Sequence, residues 1–571
     1  MKKIIKHIKI IKILIFTSVL FPGCNKFLDL SPTSSLTPDN FWKTHEDATT
    51  WMASIYNQMQ RTFQSNLFDW GELRCDHIRN VGTNAQMNVF INNRLQSAAY
   101  ETCVSWEPLY TTINLSNIGI KHYAEMMAAD IDGQADMYRE YIAQCYGMRA
   151  LMYFYGMRVW GRMPLMLEGI EGQAEEKPRA SITAMRQQIL DDIDMALENI
   201  RVLTGAGDQK YYLTRSAMLA LKTDVHAWFQ EWDDVIGTSD LFMSNSNLNW
   251  IAQPEHWKTL FLEPTHTDAT ENVFVMYFDR NEFGGNITSV VRLGRNGGTS
   301  DVGIIATGPF EHLCSRVNYM TTNVEGERVP SARRTDARYW HCFDTLKYKT
   351  PTDMTTGGQC RENANNSYQF GKFHPWNPTG AGCAGNGRFD YPSVELCNAK
   401  PPIYRYVDIM TLRAEAFAMT GRYEEALEIL KKVRTRVGYD PDYETDPTHY
   451  MEYYNQFPNK DEIMQEAILL ERQLEFLGEG KRWFDLCRVG KTAFSKPYYD
   501  VEGSHQVFYP DGRISVPYQG YYAYLKKFMN TSATRTDFEG MDMGRVFFPV
   551  FASAIQANVK LRGDQTPPYD E

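Results

Sequence analysis

The sequence predicts a mainly α-helical protein, a tetratricopeptide-like helical repeat scaffold interrupted by a large irregular, loop-rich region with a few short strands. Three observations lead there. Apolar residues recur at helical spacing over residues 138–160, 181–200, 212–232, 403–420, 423–437 and 461–478, as in Ile189, Ile193, Ala196, Leu197 and Ile200. The segment from Ala414 to Tyr439 carries small residues at Ala414, Ala416 and Ala418, breaks at Gly421 and restarts at Tyr423 and Ala426, the pattern of a tetratricopeptide helix-turn-helix unit. Between about residues 240 and 400 this periodicity gives way to Gly, Asn, Thr and aromatic residues. At 571 residues, 43% hydrophobic and 23% charged, the chain can bury an extensive core and is neither disordered nor a multi-pass membrane protein.

At the N-terminus, Lys2, Lys3, Lys6, Lys9 and Lys12 precede the apolar run Ile13 to Phe21, which ends at Pro22-Gly23-Cys24. That is the order of an export signal and its small-residue cleavage point, so residues 1–23 read as a signal peptide. The Gly23-Cys24 pair resembles a bacterial lipobox, in which the cysteine is acylated and becomes the first mature residue. Several acyl chains on Cys24 anchor a protein stably, because each buried methylene contributes about 0.8 kcal/mol and one chain alone is marginal. Removing the signal takes away five lysines and no acid, leaving 54 basic against 70 acidic residues and a formal charge of −16. Such a surface argues against nucleic acid as a partner.

The mature chain, 24–571, reads as one domain in three parts: about 24–235 with repeat helices, about 236–400 rich in loops, and about 401–571 with further repeat helices and a closing segment. Leu219 to Phe242 is a weaker repeat unit, turning between His226-Ala227-Trp228-Phe229 and Glu231-Trp232-Asp233-Asp234. Asn272 to Phe278 is strand-like. Repeat units cannot bury their faces alone and must stack. Long irregular segments on such a scaffold commonly carry binding sites.

In Glu471 to Gly490, the charged set Glu471, Arg472, Glu475, Glu479, Arg482, Asp485 and Arg488 interleaves with Leu474, Phe476, Leu477, Trp483, Phe484 and Leu486. A catalytic carboxylate pair and an ion-pair lock at the Gly478 and Gly480 turn both fit; burial of such charges requires partners, which favours the lock. Asp191-Asp192-Ile193-Asp194 lies within a helical period and reads as a solvated face rather than a calcium site. Gly380 to Gly385 matches GxGxxG but lies between no strand and no helix, and Gly490-Lys491-Thr492 lacks the glycine that opens a phosphate loop. Neither HExxH nor GxSxG occurs, there is no CxxC, and the twelve His show no metal-ligand spacing, so no catalytic residue, metal or cofactor is expected.

An N-terminal opening and four ordered motifs carry a family resemblance. Cys24 to Pro32 resembles the mature start of the SusD/RagB nutrient-uptake lipoproteins of Bacteroidetes, and Asn40-Phe41-Trp42 fits their next segment. Arg149 to Met166 resembles the family's "RA…Y…GxxP" helix and exit. Ala414 to Gly421 resembles its C-terminal repeat, and Glu471 to Gly490 its "ER…EF…EG…R…D…R.G" signature. Phe547 to Leu561 is similar to its closing segment. The resemblance implies a non-enzymatic, lipid-anchored protein on the outer face of the outer membrane. Such a protein captures oligosaccharide and delivers it to a SusC-like TonB-dependent transporter. An oligopeptide receptor of the RagB type is the alternative. A glycan hydrolase, which needs two carboxylates about 5–10 Å apart, and a structural assembly factor are further readings.

Sugar rings stack their C–H faces on aromatic side chains while their hydroxyls need polar residues at the rim. Three irregular regions supply that mixture. The first holds Phe68, Trp70, Arg74, Asp76, His77, Arg79, Asn84, Gln86, Asn88 and Phe90, and the resemblance implies a structural role for Asp76. The second holds Arg280, Asn281, Phe283, Asn286, Arg292 and Arg295. The third holds Tyr368, Phe370, Phe373, His374 and Trp376. The ligand-binding expectation centres on Phe68, Trp70, Arg74, Asn84, Arg280, Phe283, Asn286, Arg295, Tyr368 and Trp376.

Overall fold

Thr44 opens the first helix: its hydroxyl accepts from the Asp47 amide at 3.3 Å while the Asp47 carboxylate accepts from the Thr44 amide at 2.9 Å, a reciprocal cap. This helix, α1 (His45–Gly71), packs on α2 (Glu107–Ala128), which packs on α3 (Ala135–Trp160). From Ala143 to Trp160 nearly every residue of α3 is buried, as expected of a helix covered on all sides. A computed structural model describes residues 41–80, 104–172, 175–200, 208–244, 248–279, 336–344, 369–373, 399–440, 446–489 and 546–566, with shorter pieces at 91, 304–306, 309, 313, 316, 320–322, 326, 328–330, 376–377, 388–389 and 569.

The row continues in sequence order. Ser181 caps α4 (Ile182–Asn199) through the Ala184 amide, and Thr214 caps α5 (Arg215–Trp228) through Ala217. After a turn at Phe229–Glu231, with Gln230 in the left-handed region, α6 (Trp232–Ser244) folds back on α5. The single helix expected over 212–232 is therefore an extended approach to a Thr cap, a shorter helix and a turn. In the C-terminal part, α8 (Tyr406–Met419) and α9 (Tyr423–Thr435) form the second pair, turning at Gly421 with φ of +80°; α7 (Ala337–Cys342) precedes them in the chain. Helix α8 lies against α5 and α6, so the two repeat units read from the sequence are neighbours in space. Ala416 and Leu412 close that contact with Ala227 and Val235 in a small cluster of their own. Helix α10 (Lys460–Glu475) packs on α8 and α9, and α11 (Arg482–Arg488) follows a tight turn.

The strands are short pairs. The two-stranded antiparallel pair of β2 (Asn272–Val275) and β10 (Pro402–Arg405) is entirely buried and delivers Arg405 to the start of α8. Strand β1 (Ile78–Asn80) pairs with β3 (Ile304–Ala306), and β4 (Met320–Thr322) with β5 (Arg328–Pro330). Likewise β6 (Phe343–Asp344) pairs with β7 (Gln369–Phe370), and β8 (Trp376–Asn377) with β9 (Arg388–Phe389). One apolar core runs through helices of both the N-terminal and the C-terminal parts.

The two ends of that core meet backbone to backbone. A Cβ on Gly71 would lie 1.7 Å from the Gly480 carbonyl oxygen, and one on Gly480, whose φ is +70°, would lie 2.3 Å from the Leu67 carbonyl oxygen. Only glycines allow this approach. Gly71→Ala is therefore expected to lower stability by at least about 2 kcal/mol, whereas Gly172→Ala, with nothing within 4 Å of the added methyl, stays within about 0.5 kcal/mol of the parent. Urea midpoints of the two variants measure the contrast; equal midpoints would refute the close packing.

Candidate functional site

The charged signature folds into the interior. Glu471 and Glu475 lie one turn apart on α10 and Glu479 lies in the turn that follows, so three carboxylates enter the core on one side. Arg338 at 2.9 Å, Arg434 at 2.9 Å and Arg316 surround Glu471. Glu475 receives Arg405 at 2.7 Å, Arg436 at 2.9 Å and the Trp257 indole at 3.2 Å. Glu479 receives Arg405 at 2.7 Å and the Lys372 ammonium. Glu271, 2.9 Å from Arg436, and Asp336, 2.7 Å from Arg338, complete the cluster. Five carboxylates and six cations thus meet out of water.

A second group lies one helix face away. Arg472 spans Asp408 and Asp485, each at 2.9 Å, and Arg488 spans Glu415 at 2.6 Å and Asp485 at 2.7 Å. A third ties the end of α1 to the same turn: Arg482 grips Asp76 with two hydrogen bonds of 2.9 and 2.8 Å, and Glu72 accepts from the Gly478 amide at 2.9 Å. The ion-pair reading of the signature is the one the geometry bears out. Burial alone would raise these carboxyls, but Arg316, Arg338 and Arg434 hold Glu471 well below the usual carboxylate range. Arg436 and Arg405 do the same for Glu475, and Arg472 and Arg488 for Asp485. A carboxylate so held is a poor general acid, because donation needs a pKa near the working pH.

Of the sequence-predicted binding residues, three occupy the core. Phe68 and Trp70 belong to the last turns of α1 rather than to a loop, and Trp70 packs edge-on against Trp160 at 5.3 Å. The Arg74 guanidinium lies between the rings of Trp483 and Phe548, 4.4 and 4.3 Å from their centroids, and donates to the Val546 carbonyl at 3.0 Å. These three are corrected to structural residues: Phe68 is buried, and Trp70 and Arg74 are closed in by Trp160, Trp483 and Phe548, partners far along the chain that local composition does not disclose. Phe370 and Phe373 are buried as well. Trp376 lies in β8, paired with Phe389. Cys24, Asn84, Arg280, Phe283, Asn286, Arg295 and Tyr368 lie outside the described residues. Asp192, read as solvated, is instead buried against Arg149, with bonds of 2.8 and 2.6 Å.

Glu72, Cys75 and His77 bring ligand atoms within 4.8 Å of one another, a grouping the sequence spacing did not suggest. His77 donates from Nε2 to Glu72 at 2.9 Å, and its Nδ1 lies 3.0 Å from the Gln473 amide. Both ring nitrogens are engaged in fixing the turn. Among the described residues no helix is long and apolar enough to cross a membrane.

The depressed carboxyls make stability depend on acid. Each contributes stabilisation that is complete above its unfolded-state value, about 4 for Asp and Glu, and that is lost as pH falls through the folded value. Glu271, raised by burial, opposes this, but the lowered Glu471, Glu475, Asp485 and Asp408 outnumber it. The melting temperature is expected to hold between about pH 7 and 5 and to fall steeply from about pH 4 to 3. An unchanged melting temperature at the acid end would contradict the network.

Comparison with known proteins agrees with this architecture. Residues 319–569 match the SusD family, and residues 26–225 match a family described as starch-binding and associating with the outer membrane. SusD-like protein P38 of Formosa agariphila is 25% identical over 524 residues, 86% of this chain and 93% of that protein. A SusD superfamily protein from Bacteroides thetaiotaomicron superposes with a TM-score of 0.62 at 18% identity, covering 92% of this chain and 99% of the other. A laminarin-binding SusD-like protein gives 0.61 at 16%, covering 92% and 100%. NanU of B. fragilis gives 0.58 at 19%, covering 95% and 100%. At these identities the solved structures attest the fold, while the two family matches in succession attest descent: the chain belongs to the SusD-like family.

Proposed function

We propose that this protein is a cell-surface glycan-binding lipoprotein that captures oligosaccharides and hands them to a SusC-like TonB-dependent transporter in the outer membrane. The carrying observation is the match of residues 26–225 to a family described as starch-binding and associating with the outer membrane, joined by a laminarin-binding protein of the same fold. The arrangement of charge supports a binding rather than a catalytic role. The signature carboxylates are consumed in ion pairs, and with Phe68, Trp70 and Arg74 assigned to the core, recognition would fall to the segments around Asn84, Arg280 to Arg295 and Tyr368 to Trp376. The lipid on Cys24 would hold the protein at the membrane, and the stacked helix pairs would serve as the rigid body against which a barrel can dock.

The reading is tested by calorimetric titration of residues 25–571 with plant, microbial and mucin oligosaccharides beside a peptide mixture. Saturable binding of one glycan class, with no reducing ends released, is the expected result. Binding of peptides alone would replace it with the oligopeptide receptor. Phe283→Ala is expected to weaken the glycan about fivefold to tenfold, the loss of about 1–1.5 kcal/mol of aromatic contact, with unfolding unchanged; full affinity in the variant would remove the 280–295 segment from the site. Cys24→Ala is expected to move the protein from the membrane fraction to the soluble one in cells lacking the transporter. Continued sedimentation of that variant would count against acylation.

A further inference from the structure

On the helical scaffold, a cleft of about 280 Å³ opens where α1, α3 and the approach to α5 meet. Met52 and Leu213 line it as buried apolar residues. The volume lies at the lower end of small-molecule sites and suits one six-membered ring.

The hydrogen bonds already made in the polar wall decide what each group still offers. The Thr49 hydroxyl donates to the His45 carbonyl at 2.9 Å, so the Tyr141 hydroxyl, 3.2 Å from Thr49 Oγ1, is the donor of that pair and keeps its oxygen as an acceptor. The Leu213 amide donates to the Tyr56 hydroxyl at 2.8 Å, which turns the Tyr56 proton to Gln144 Oε1 at 2.9 Å. That fixes the Gln144 amide: Nε2 gives one hydrogen to Glu140 Oε1 at 3.0 Å and retains the other. Thr214 Oγ1 accepts from the Ala217 amide at 3.3 Å in capping α5, and its own hydrogen has no acceptor among the described residues. Gln144 and Thr214 are almost fully buried, and both line the cleft. The wall thus presents two donors and an acceptor. Beside it stands Tyr212, 48% exposed, its ring braced edge-on against Tyr56 at 5.2 Å.

Free donors next to a free acceptor suit a group that is both. A sugar hydroxyl carries one hydrogen and two lone pairs, and the C–H face of its ring packs on a tyrosine. An ammonium, which has donors only, would set them against Gln144 and Thr214. An acidic sugar would meet a lining with no cation, whose one charged member is the Glu140 carboxylate. The geometry points to this cleft as a binding site for one uncharged sugar ring, packed on Tyr212 and hydrogen-bonded to Gln144, Thr214 and Tyr141. The assignment deepens the glycan reading and rests on it for the choice of a sugar among hydroxyl-bearing rings, yet it uses none of the segments to which that reading gives recognition.

Saturation-transfer NMR and calorimetric titration of residues 25–571 with methyl glucoside, methyl galactoside, methyl mannoside and glucuronate test it. At least one methyl glycoside is expected to bind and glucuronate not to bind. Tyr212→Ala, at an exposed position, and Ala53→Leu, which crowds the cleft from an exposed position on α1, are each expected to weaken that glycoside at least about fivefold with melting temperatures unchanged. Phe283→Ala is expected to leave it unaffected. Binding of a methyl glycoside without binding of any oligosaccharide would sink the glycan-capture reading and keep the cleft. Where an oligosaccharide does bind, a loss of its affinity in Tyr212→Ala identifies the ring as part of the captured chain, and full affinity identifies a free sugar. Failure of every methyl glycoside to bind, equal binding of glucuronate, or full glycoside affinity in either cleft variant overturns the assignment. Should Ala53→Leu fail to fold, Tyr212→Ala decides alone.

Discussion

Moving a charged side chain out of water costs several kcal/mol, and a buried ion pair recovers that only when its geometry is good and its remaining donors and acceptors are satisfied. The cluster around Glu471, Glu475 and Glu479 meets that condition by recruiting partners from the whole C-terminal half of the chain. Arg316, Arg338, Lys372, Arg405, Arg434 and Arg436 arrive from position 316, α7, the 371–373 segment, β10 and the end of α9. None of these cations is at home in the core without the carboxylates, and the carboxylates are not at home without them. The irregular segments that cross this part of the protein are therefore held to the helices at fixed points. The placement of β10, of α7 and of the 371–373 segment follows from where their charges must go.

The same constraint accounts for how much could be read in advance. Alternation of charged and apolar residues from Glu471 to Arg488 is visible locally, and since burial of such charges demands partners, a lock was legible before any partner was known. The helix pairs α5/α6 and α8/α9 were legible because periodicity and the Gly421 break are local properties. Helix α1 was not, since its face is built from scattered Met, Phe and Trp among Thr, Gln and Asn. Trp70 and Arg74 resemble a binding rim for the same reason: an aromatic beside an arginine reads alike on a loop and in a core. What separates the two cases is Trp483 and Phe548 closing over Arg74, and those residues lie more than 400 positions away. Asp192 was misread because its partner Arg149 belongs to another helix.

A division of labour follows. The scaffold spends its charge internally, so its described ion pairs and stacked aromatics define shape rather than recognition. Under the proposed glycan reading, recognition would rest on the aromatic and polar sequence around Asn84, Arg280 to Arg295 and Tyr368 to Trp376.

The contact between Gly71 and the turn at Gly480, together with the Asp76 to Arg482 pair, also sets the order of events while the chain is being made. Helix α1 is among the first segments to emerge, yet the turn that closes on it emerges some 400 residues later. Contacts of such long sequence separation slow folding, because the loop must close before they reward it. Throughout that interval the apolar face of α1, with Phe63, Leu67, Phe68 and Trp70, lacks its final cover and is open to association with other chains. A chain built this way benefits from a holding chaperone until its last third arrives, and truncation anywhere before residue 480 leaves the end of its first helix without the glycine turn that closes on it.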